Sequence, residues 1–352
     1  MRRWFIGVFI LLFFSLPSQV LAAEQSPTVS IQRIYGQDRY QTATAIADQL
    51  AKQFGINYSM GQKFQAVVLA SGNNWPDAVS GTALANVNKA PILLLDKTTD
   101  AQGSQETFKY VHQHVSASGK VFILGGTGVV PIEFTQYLIS MGFSPSNVQQ
   151  IGGIDRAETS FMIAKTLNIH NFFLVSDQNF YDALSVAPHV SSNQDRTLLL
   201  VSSSGLTVKG EKEYLDGCSD VITVGDLSNS IASIYPRAYN PYAIGINGSE
   251  YETNARMVGS GFETAFIATG EDYPDALTGS VLAGSIGGYQ GSPIIFVKHD
   301  SVAQESVHAL EYIKTEPDGG SLRHVIVLGG TGAVSDNAVK QAIYLITGIT
   351  VP

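Results

Sequence analysis

A fifteen-residue pattern written three times constrains this chain more than any other feature. Val67 to Gly81 reads VVLASGNNWPDAVSG, Phe172 to Val186 reads FFLVSDQNFYDALSV, and Ala265 to Gly279 reads AFIATGEDYPDALTG. Each copy runs from a short apolar stretch through a polar turn into an Ala-rich segment, which is the signature of a buried strand, a loop and a helix. The central residues Asp77, Asp182 and Asp275 are spaced 105 and 93 residues apart. That period is too long for a solenoid and fits a small domain, so the chain is organised as three units of one kind.

Each unit carries further strand-helix alternation. In the first, Ile31 to Tyr35 reads as a strand, Asp38 to Phe54 as a helix and Ala66 to Ala70 as a strand. Ala78 to Val87 then reads as one helix, Pro91 to Leu95 as a strand, Gln105 to Val115 as a helix, Val121 to Leu124 as a strand and Ile132 to Met141 as a helix. In the third unit Ala265 to Ala268, Pro293 to Val297 and Val325 to Leu328 are the corresponding strands. The strands are continuous apolar runs, not alternating ones, as in parallel sheets covered by helices on both faces. The fold class expected is therefore α/β, a three-layer sandwich in each unit.

Met1 to Ala22 has Arg2 and Arg3, then the apolar run Trp4 to Leu16, then small residues before a cleavage point. It reads as a secretory signal peptide at 1–22, and no later stretch has the roughly 18 apolar residues of a membrane span. The expectation is an exported chain with no membrane contact after cleavage. Without the two leader arginines, 19 basic residues face 30 acidic ones, a net charge of −11. Nucleic acid is thereby excluded as a partner, since backbone binding needs a basic surface. Cys218 is the only cysteine, so the exported chain holds together without disulfides, which fits a Gram-positive surface. It precedes the apolar run Val221 to Val224 and reads as a buried, inert thiol.

Two shorter motifs flank the central one. Tyr35-Gly36-Gln37-Asp38-Arg39-Tyr40-Gln41-Thr42 aligns with Gly152-Gly153-Ile154-Asp155-Arg156-Ala157-Glu158-Thr159 and with Ile246-Asn247-Gly248-Ser249-Glu250-Tyr251-Glu252-Thr253. The closing turns are Gly125-Gly126-Thr127-Gly128 and Gly329-Gly330-Thr331-Gly332, worn in the second unit to Gly225-Asp226. With these residues in view, the chain resembles the cell wall binding repeat 2 family, found as tandem triplets in surface proteins of clostridia and bacilli. The combination of the three motifs is specific where any one alone is not, and it covers essentially the whole mature chain. The resemblance places the repeats at 29–146, 147–241 (degenerate) and 242–352. It implies Rossmann-like or flavodoxin-like domains packed about a pseudo-threefold axis. It also implies non-covalent attachment to an anionic secondary wall polymer, teichoic-acid-like or another anionic glycan, beside peptidoglycan, in an S-layer-like or accessory protein at the cell surface.

The repeated residues carry two readings each. Asp38 with Gln41, Asp155 with Glu158, and Ser249 with Glu252 fit capping boxes. Arg39 and Arg156 sit in a first helical turn, where a cation opposes the helix dipole by about 0.3–1 kcal/mol, so each asks for a partner. An acid of the neighbouring repeat and an anionic ligand are the two candidates, and the third copy has Glu250 instead. Asn74 with Asp77, Asn179 with Asp182, and Asp272 with Asp275 again read as caps, with ligand contact as the other possibility. Trp75, Phe180 and Tyr273 follow the cap candidates and either stack on a sugar or pack on the adjoining repeat. Thr127 and Thr331 lie in glycine turns whose amides form either an anion nest or a bare tight turn. Neither turn matches a dinucleotide fingerprint or a P-loop, so no cofactor is expected.

No catalytic constellation is legible. His112 and His114 are two apart on an expected helix and face different ways, a poor metal pair, and neither H-E-x-x-H nor G-x-S-x-G occurs. The reading is a non-catalytic binding module. Its candidate ligand-binding residues are Arg39, Arg156, Trp75, Asp77, Asp182, Asp275, Thr127 and Thr331, with no metal site. With Pro352 directly after the third repeat, the expectation is a chain without a separate hydrolase domain. The alternative is the anchoring part of a longer peptidoglycan hydrolase of the amidase type.

Overall fold

Strand β1 (Ser30–Ile34) opens the first repeat, followed by β2 (Phe64–Ser71), β3 (Ile92–Leu95) and β4 (Val115–Leu124). The second repeat supplies β5 (Val148–Ile151), β6 (Asn171–Ser176), β7 (Arg196–Val201) and β8 (Asp220–Gly225). The third is opened by β9 (Tyr239–Ala243), which straddles the expected boundary between 241 and 242, and adds β10 (Thr264–Thr269), β11 (Ile294–Val297) and β12 (His324–Leu328). The computed structural model describes residues 29–352 apart from 179, 203, 226, 228–234, 236–237, 244–249, 260, 289–290 and 316–321. The leader expected at 1–22, the cap candidates Asn179 and Ser249, the worn-turn residue Asp226 and the stretch 246–248 of the third opening motif lie outside the described residues.

The described strands make three four-stranded sheets in the orders β3-β2-β4-β5, β7-β6-β8-β9 and β11-β10-β12-β1. Every ladder is parallel. Val67, Val68, Leu69 and Ala70 are all fully buried on the central strand β2. That is why the run is continuously apolar: helices cover both faces, and neither alternate position sees water. Truncating Leu69 to Ala there should cost about 2–5 kcal/mol.

The opening strand of each repeat does not join the sheet of its own repeat. β5 pairs with β4, with Ile151 opposite Leu124, and β9 pairs with β8, with Ala243 opposite Gly225. β1 pairs with β12, with Ile34 opposite Leu328, so the start of the chain completes the last sheet. Three units are thus joined cyclically, each by one edge strand from the next. The residue pattern alone had left each opening strand within the repeat that it begins.

The helices follow from equally local causes. Asp38 accepts a hydrogen bond from the Gln41 amide at 2.8 Å and Asp155 one from the Glu158 amide at 2.8 Å, starting the helices Arg39–Gln53 and Arg156–Leu167. Gln41 and Glu158 reach back and accept from the Gln37 and Ile154 amides, one residue before the caps, so each expected box closes on the preceding amide and not on the cap's own. Ala78 to Val87, expected as one helix, is divided at Gly81 into Trp75–Ser80 and Thr82–Val87. A Cβ on Gly81 would meet Leu124 Cδ1 at 2.1 Å, so this helix lies on the sheet at a distance only glycine allows. Cys218 is buried against the Tyr214 carbonyl, as expected. Among the described residues no helix is long and apolar enough to cross a membrane, and no group of three or more His, Cys, Asp or Glu is placed to hold a metal ion.

Candidate functional site

Because the opening strand of one repeat is the edge strand of the previous sheet, the opening motif faces the central and closing motifs of the previous repeat. The residues singled out in sequence therefore converge at the seams between units. The seam between the third and first units holds a cleft of about 430 Å³. Arg39, Asp275 and Thr331 line it together with Gln37, Thr42 and Asp272. At the seam between the first and second units, Thr127 lines a shallower depression with Gly153, Ile154 and Glu158. Asp77 and Arg156 belong to the same seam, since the Arg156 charge pulls on the Asp77 carboxyl.

Both arginines are set alike. Arg39 Nη1 donates to the Gly72 carbonyl at 2.6 Å, and Arg156 Nη1 donates to the Asp177 carbonyl at 2.6 Å. Gly72 and Asp177 occupy equivalent positions just past β2 and β6. Each guanidinium lies over an aromatic ring of the preceding unit in the cycle, Arg39 over Tyr273 and Arg156 over Trp75, both at 5.9 Å. Arg39 further donates through Nη2 to Asp272 at 3.0 Å, an acid of the neighbouring repeat. No carboxylate pairs with Arg156 within salt-bridge distance among the described residues. The cation in the first helical turn is thus compensated by carbonyl, ring and, at one seam, carboxylate.

The aromatic residues pack on one another. Trp75 and Phe180 meet edge to face with centroids 6.4 Å apart, and Phe180 and Tyr273 lie 6.0 Å apart. One ring comes from each repeat, so the packing alternative holds for all three. Tyr273 also donates its hydroxyl to the Gly72 carbonyl at 2.7 Å, beside the Arg39 contact.

The caps expected of Asn74 and Asp272, with Asp77 and Asp275 as their partners three residues on, do not form. Asn74 makes no side-chain cap hydrogen bond, and Asp77 is buried. Asp272 accepts from the adjacent Tyr273 amide rather than from a residue three on. The carboxylates instead press on the first glycine of the closing turn. A Cβ on Gly125, Gly225 or Gly329 would lie 2.9, 2.2 or 2.3 Å from Oδ2 of Asp77, Asp182 or Asp275. All three glycines have positive φ, at 103°, 71° and 95°, so the position excludes side chains twice over. Sequence spacing suggested a cap because cap and box partner are also three apart; here the cause is a cross-motif contact that only the folded unit creates.

Burial sets the charge of these groups. It pushes the Asp77 carboxyl up, against the pull of the Thr159 hydroxyl and the Arg156 charge. It pushes Asp275 up to about 6, with Asp272 adding to the rise and Arg39 opposing it. Asp182 is almost fully buried.

The closing turns offer donors. The amides of Gly330, Thr331 and Gly332 make no hydrogen bond among the described residues, and all three residues line the cleft. The turn is held open by Arg33, which donates to the Gly329 and Val334 carbonyls at 3.0 and 2.9 Å. Gln150 does the same at the next seam, to the Gly125 and Val130 carbonyls at 2.9 and 2.8 Å. Neither Arg33 nor Gln150 stood out in sequence; their equivalent places, just before the last residue of β1 and of β5, were the available signal.

Comparison with known proteins agrees with this architecture. The chain is 24% identical over 330 residues to the N-acetylmuramoyl-L-alanine amidase LytC of Bacillus subtilis (strain 168), a match spanning 92% of this chain and 60% of the amidase. Among solved structures, Cwp8 from Clostridium difficile superposes with a TM-score of 0.74 at 21% identity, over 90% of this chain and 51% of that one. Cwp6 from Clostridium difficile gives 0.72 at 22%, over 92% and 49%. The chain therefore spans about three fifths of the amidase and half of each of the Cwp8 and Cwp6 chains, and the two structures share its fold. The model of cell wall binding domain 2 (CWB2) matches residues 33–134, 150–233 and 246–339, one match per repeat, and the protein belongs to that family.

Proposed function

We propose that this chain is a non-catalytic attachment module at the cell surface, exported and held non-covalently to an anionic secondary polymer of the wall through the seams between its units. The observation that carries this reading is the cleft between the third and first units. There a third-exposed Arg39 stands opposite three unbonded turn amides, in a space of about 430 Å³. A guanidinium and a nest of amides are the donors a phosphate or carboxylate takes. The Arg39 to Asp272 pair is exposed on both sides and worth at most about 1 kcal/mol, so an incoming anion displaces it cheaply. At the next seam Arg156 has no ion-pair partner among the described residues, and Thr127 lines a depression that also holds the Glu158 carboxylate. An acidic chain can hold an acidic polymer because these contacts are local and screened beyond about 8–10 Å. Sedimentation with isolated walls tests the reading. The chain should co-sediment with intact walls and stay in solution with walls stripped of secondary polymer by mild acid; equal retention on both would overturn it.

The likeness to an amidase over 60% of its length supports a second reading, in which the module anchors a peptidoglycan hydrolase. The native protein recovered from a cell-surface extract and run on a muralytic zymogram separates the two. Clearing at its position supports the hydrolase; none leaves the attachment module.

A further inference from the structure

The first unit carries a hollow beside a loop longer than its counterparts in the sister units. Between the first helix and the second strand of each repeat the connection is ten residues in the first unit (54–63), three in the second (168–170) and six in the third (258–263). On a scaffold repeated three times, residues added to one copy are not needed for the fold, and loops of this kind carry binding. The added stretch is ordered by a 3-10 turn, Tyr58–Met60, with Asn57 accepting from the Ser59 amide at 3.1 Å and the Ser59 hydroxyl at 2.6 Å. It walls a depression of about 690 Å³, away from the seams, whose lining includes Asp48, Lys52, Ile56, Asn57, Tyr58 and His114. That volume is ordinary for a small-molecule site.

A directed chain of hydroxyls prepares the polar side. Tyr110 donates to Asp48 Oδ1 at 2.9 Å, so its single proton is spent and Tyr58 must be the donor in their 2.8 Å contact. The chain fixes the Asp48 carboxylate with Oδ2 taking no hydrogen bond among the described residues. One turn along the helix, Lys52 makes no ion pair there, although it stands at the spacing for one with Asp48. The Asn57 side-chain amide donates to nothing among the described residues. The second unit shows the closed counterpart: His170 stacks on Tyr214 with centroids 5.2 Å apart, and the Tyr214 hydroxyl is spent on the Ile169 carbonyl at 3.0 Å.

The composition selects a ligand class. Asp48 repels an anion and Lys52 repels a cation. The faces of Tyr58 and His114 are turned on each other, 4.1 Å apart, so they form no cage for an ammonium group. Burial holds the His114 imidazole below the ordinary histidine range, so the ring adds no charge at neutral pH. An acceptor, a cation and an amide donor spaced around aromatic edges match a group whose hydroxyls both donate and accept. We propose that this depression is a second binding site, taking a neutral hexose or N-acetylhexosamine unit of a glycan.

The test titrates the whole chain with two probes, maltotetraose and chitotetraose, and reads the His114 ring protons by NMR. At least one probe should shift them saturably with a Kd of about 1 mM, unchanged at 0.5 M salt because no ion pair is formed. Asp48→Asn and Lys52→Ala change exposed residues, and Asn still accepts from Tyr110; each should weaken binding about tenfold with unchanged circular dichroism. Absence of a saturable shift for both probes up to about 20 mM would overturn the proposal. Equal affinity in both variants would do the same.

Discussion

Arg39 donates to Asp272 at 3.0 Å across 233 positions of sequence, at the seam where the first unit meets the third. Neither side chain is buried enough for the pair to matter much to stability. Its consequence is competitive, since Asp272 occupies a donor that an anionic ligand would otherwise use.

Asp272→Asn should therefore raise wall retention a few-fold, because it frees Arg39 and removes a repelling charge. The melting temperature should move little, since an exposed pair contributes about 0–1 kcal/mol. Retention on isolated walls, measured beside a thermal melt, checks both halves. Weaker retention with a lowered melting temperature would mark the pair as a strut between repeats.

Asp275 gives the seam a pH dependence of definite sign. Its folded pKa of about 6 lies above the ordinary carboxylate value, so the folded state holds the proton more tightly than the unfolded chain. Its share of stability then increases as pH falls from 7 through 6 towards 4, by roughly 1–3 kcal/mol for this half-buried group. Protonation also removes a negative charge beside Arg39, so wall retention should be stronger at pH 5 than at pH 7.5. Asp275→Asn should flatten that difference and raise the melting temperature at pH 7.5. A retention profile of Asp275→Asn as steep as that of the parent would sink the assignment.

Gly329→Ala should be costly for more than its burial. The residue has φ of 95°, and the new Cβ would stand 2.3 Å from the Asp275 carboxylate. Backbone strain alone is about 1–3 kcal/mol, and the clash adds to it. Combining the change with Asp275→Ala should recover the clash but leave the strain, which a double-mutant cycle on chemical denaturation resolves.

Arg33 ties the first strand to the closing turn of the third unit. It is mostly buried and donates to two carbonyls of the closing turn and to Asp336. Arg33→Ala should cost about 1.5–3 kcal/mol, the worth of charged hydrogen bonds, and Gln150→Ala only about 0.5–1.5 at the neighbouring seam. Hydrogen exchange should show the loss first at the β1 and β12 ladder, where Ile34 meets Leu328.

The strand and helix content of each unit was legible because the sheets are parallel and covered on both faces, which leaves runs such as Val67 to Ala70 without a polar position. The capping boxes at Asp38 and Asp155 were legible because they are local. Asp77 and Asp275 were misread as partners of caps at Asn74 and Asp272, because the same three-residue spacing serves a contact with Gly125 and Gly329, about fifty residues away in each case. The exchange of opening strands was hidden for a related reason: a strand's own sequence shows that it is buried, not which neighbour buries it. Trp75, Phe180 and Tyr273 were seen as equivalent positions, yet only the closed ring shows that they meet.

The central claim is that the seam arginines serve a ligand and not only the packing of repeats. The measurement that tests it most directly is wall retention and melting temperature, taken together, for the double variant Arg39→Ala, Arg156→Ala. Each lost contact to a phosphate or carboxylate should cost about 1.5–3 kcal/mol. Retention should therefore fall by two orders of magnitude or more while the fold melts within a few degrees of the parent, and raised salt should weaken the parent towards the variant. Unchanged retention in the double variant, with or without a lowered melting temperature, would contradict the account.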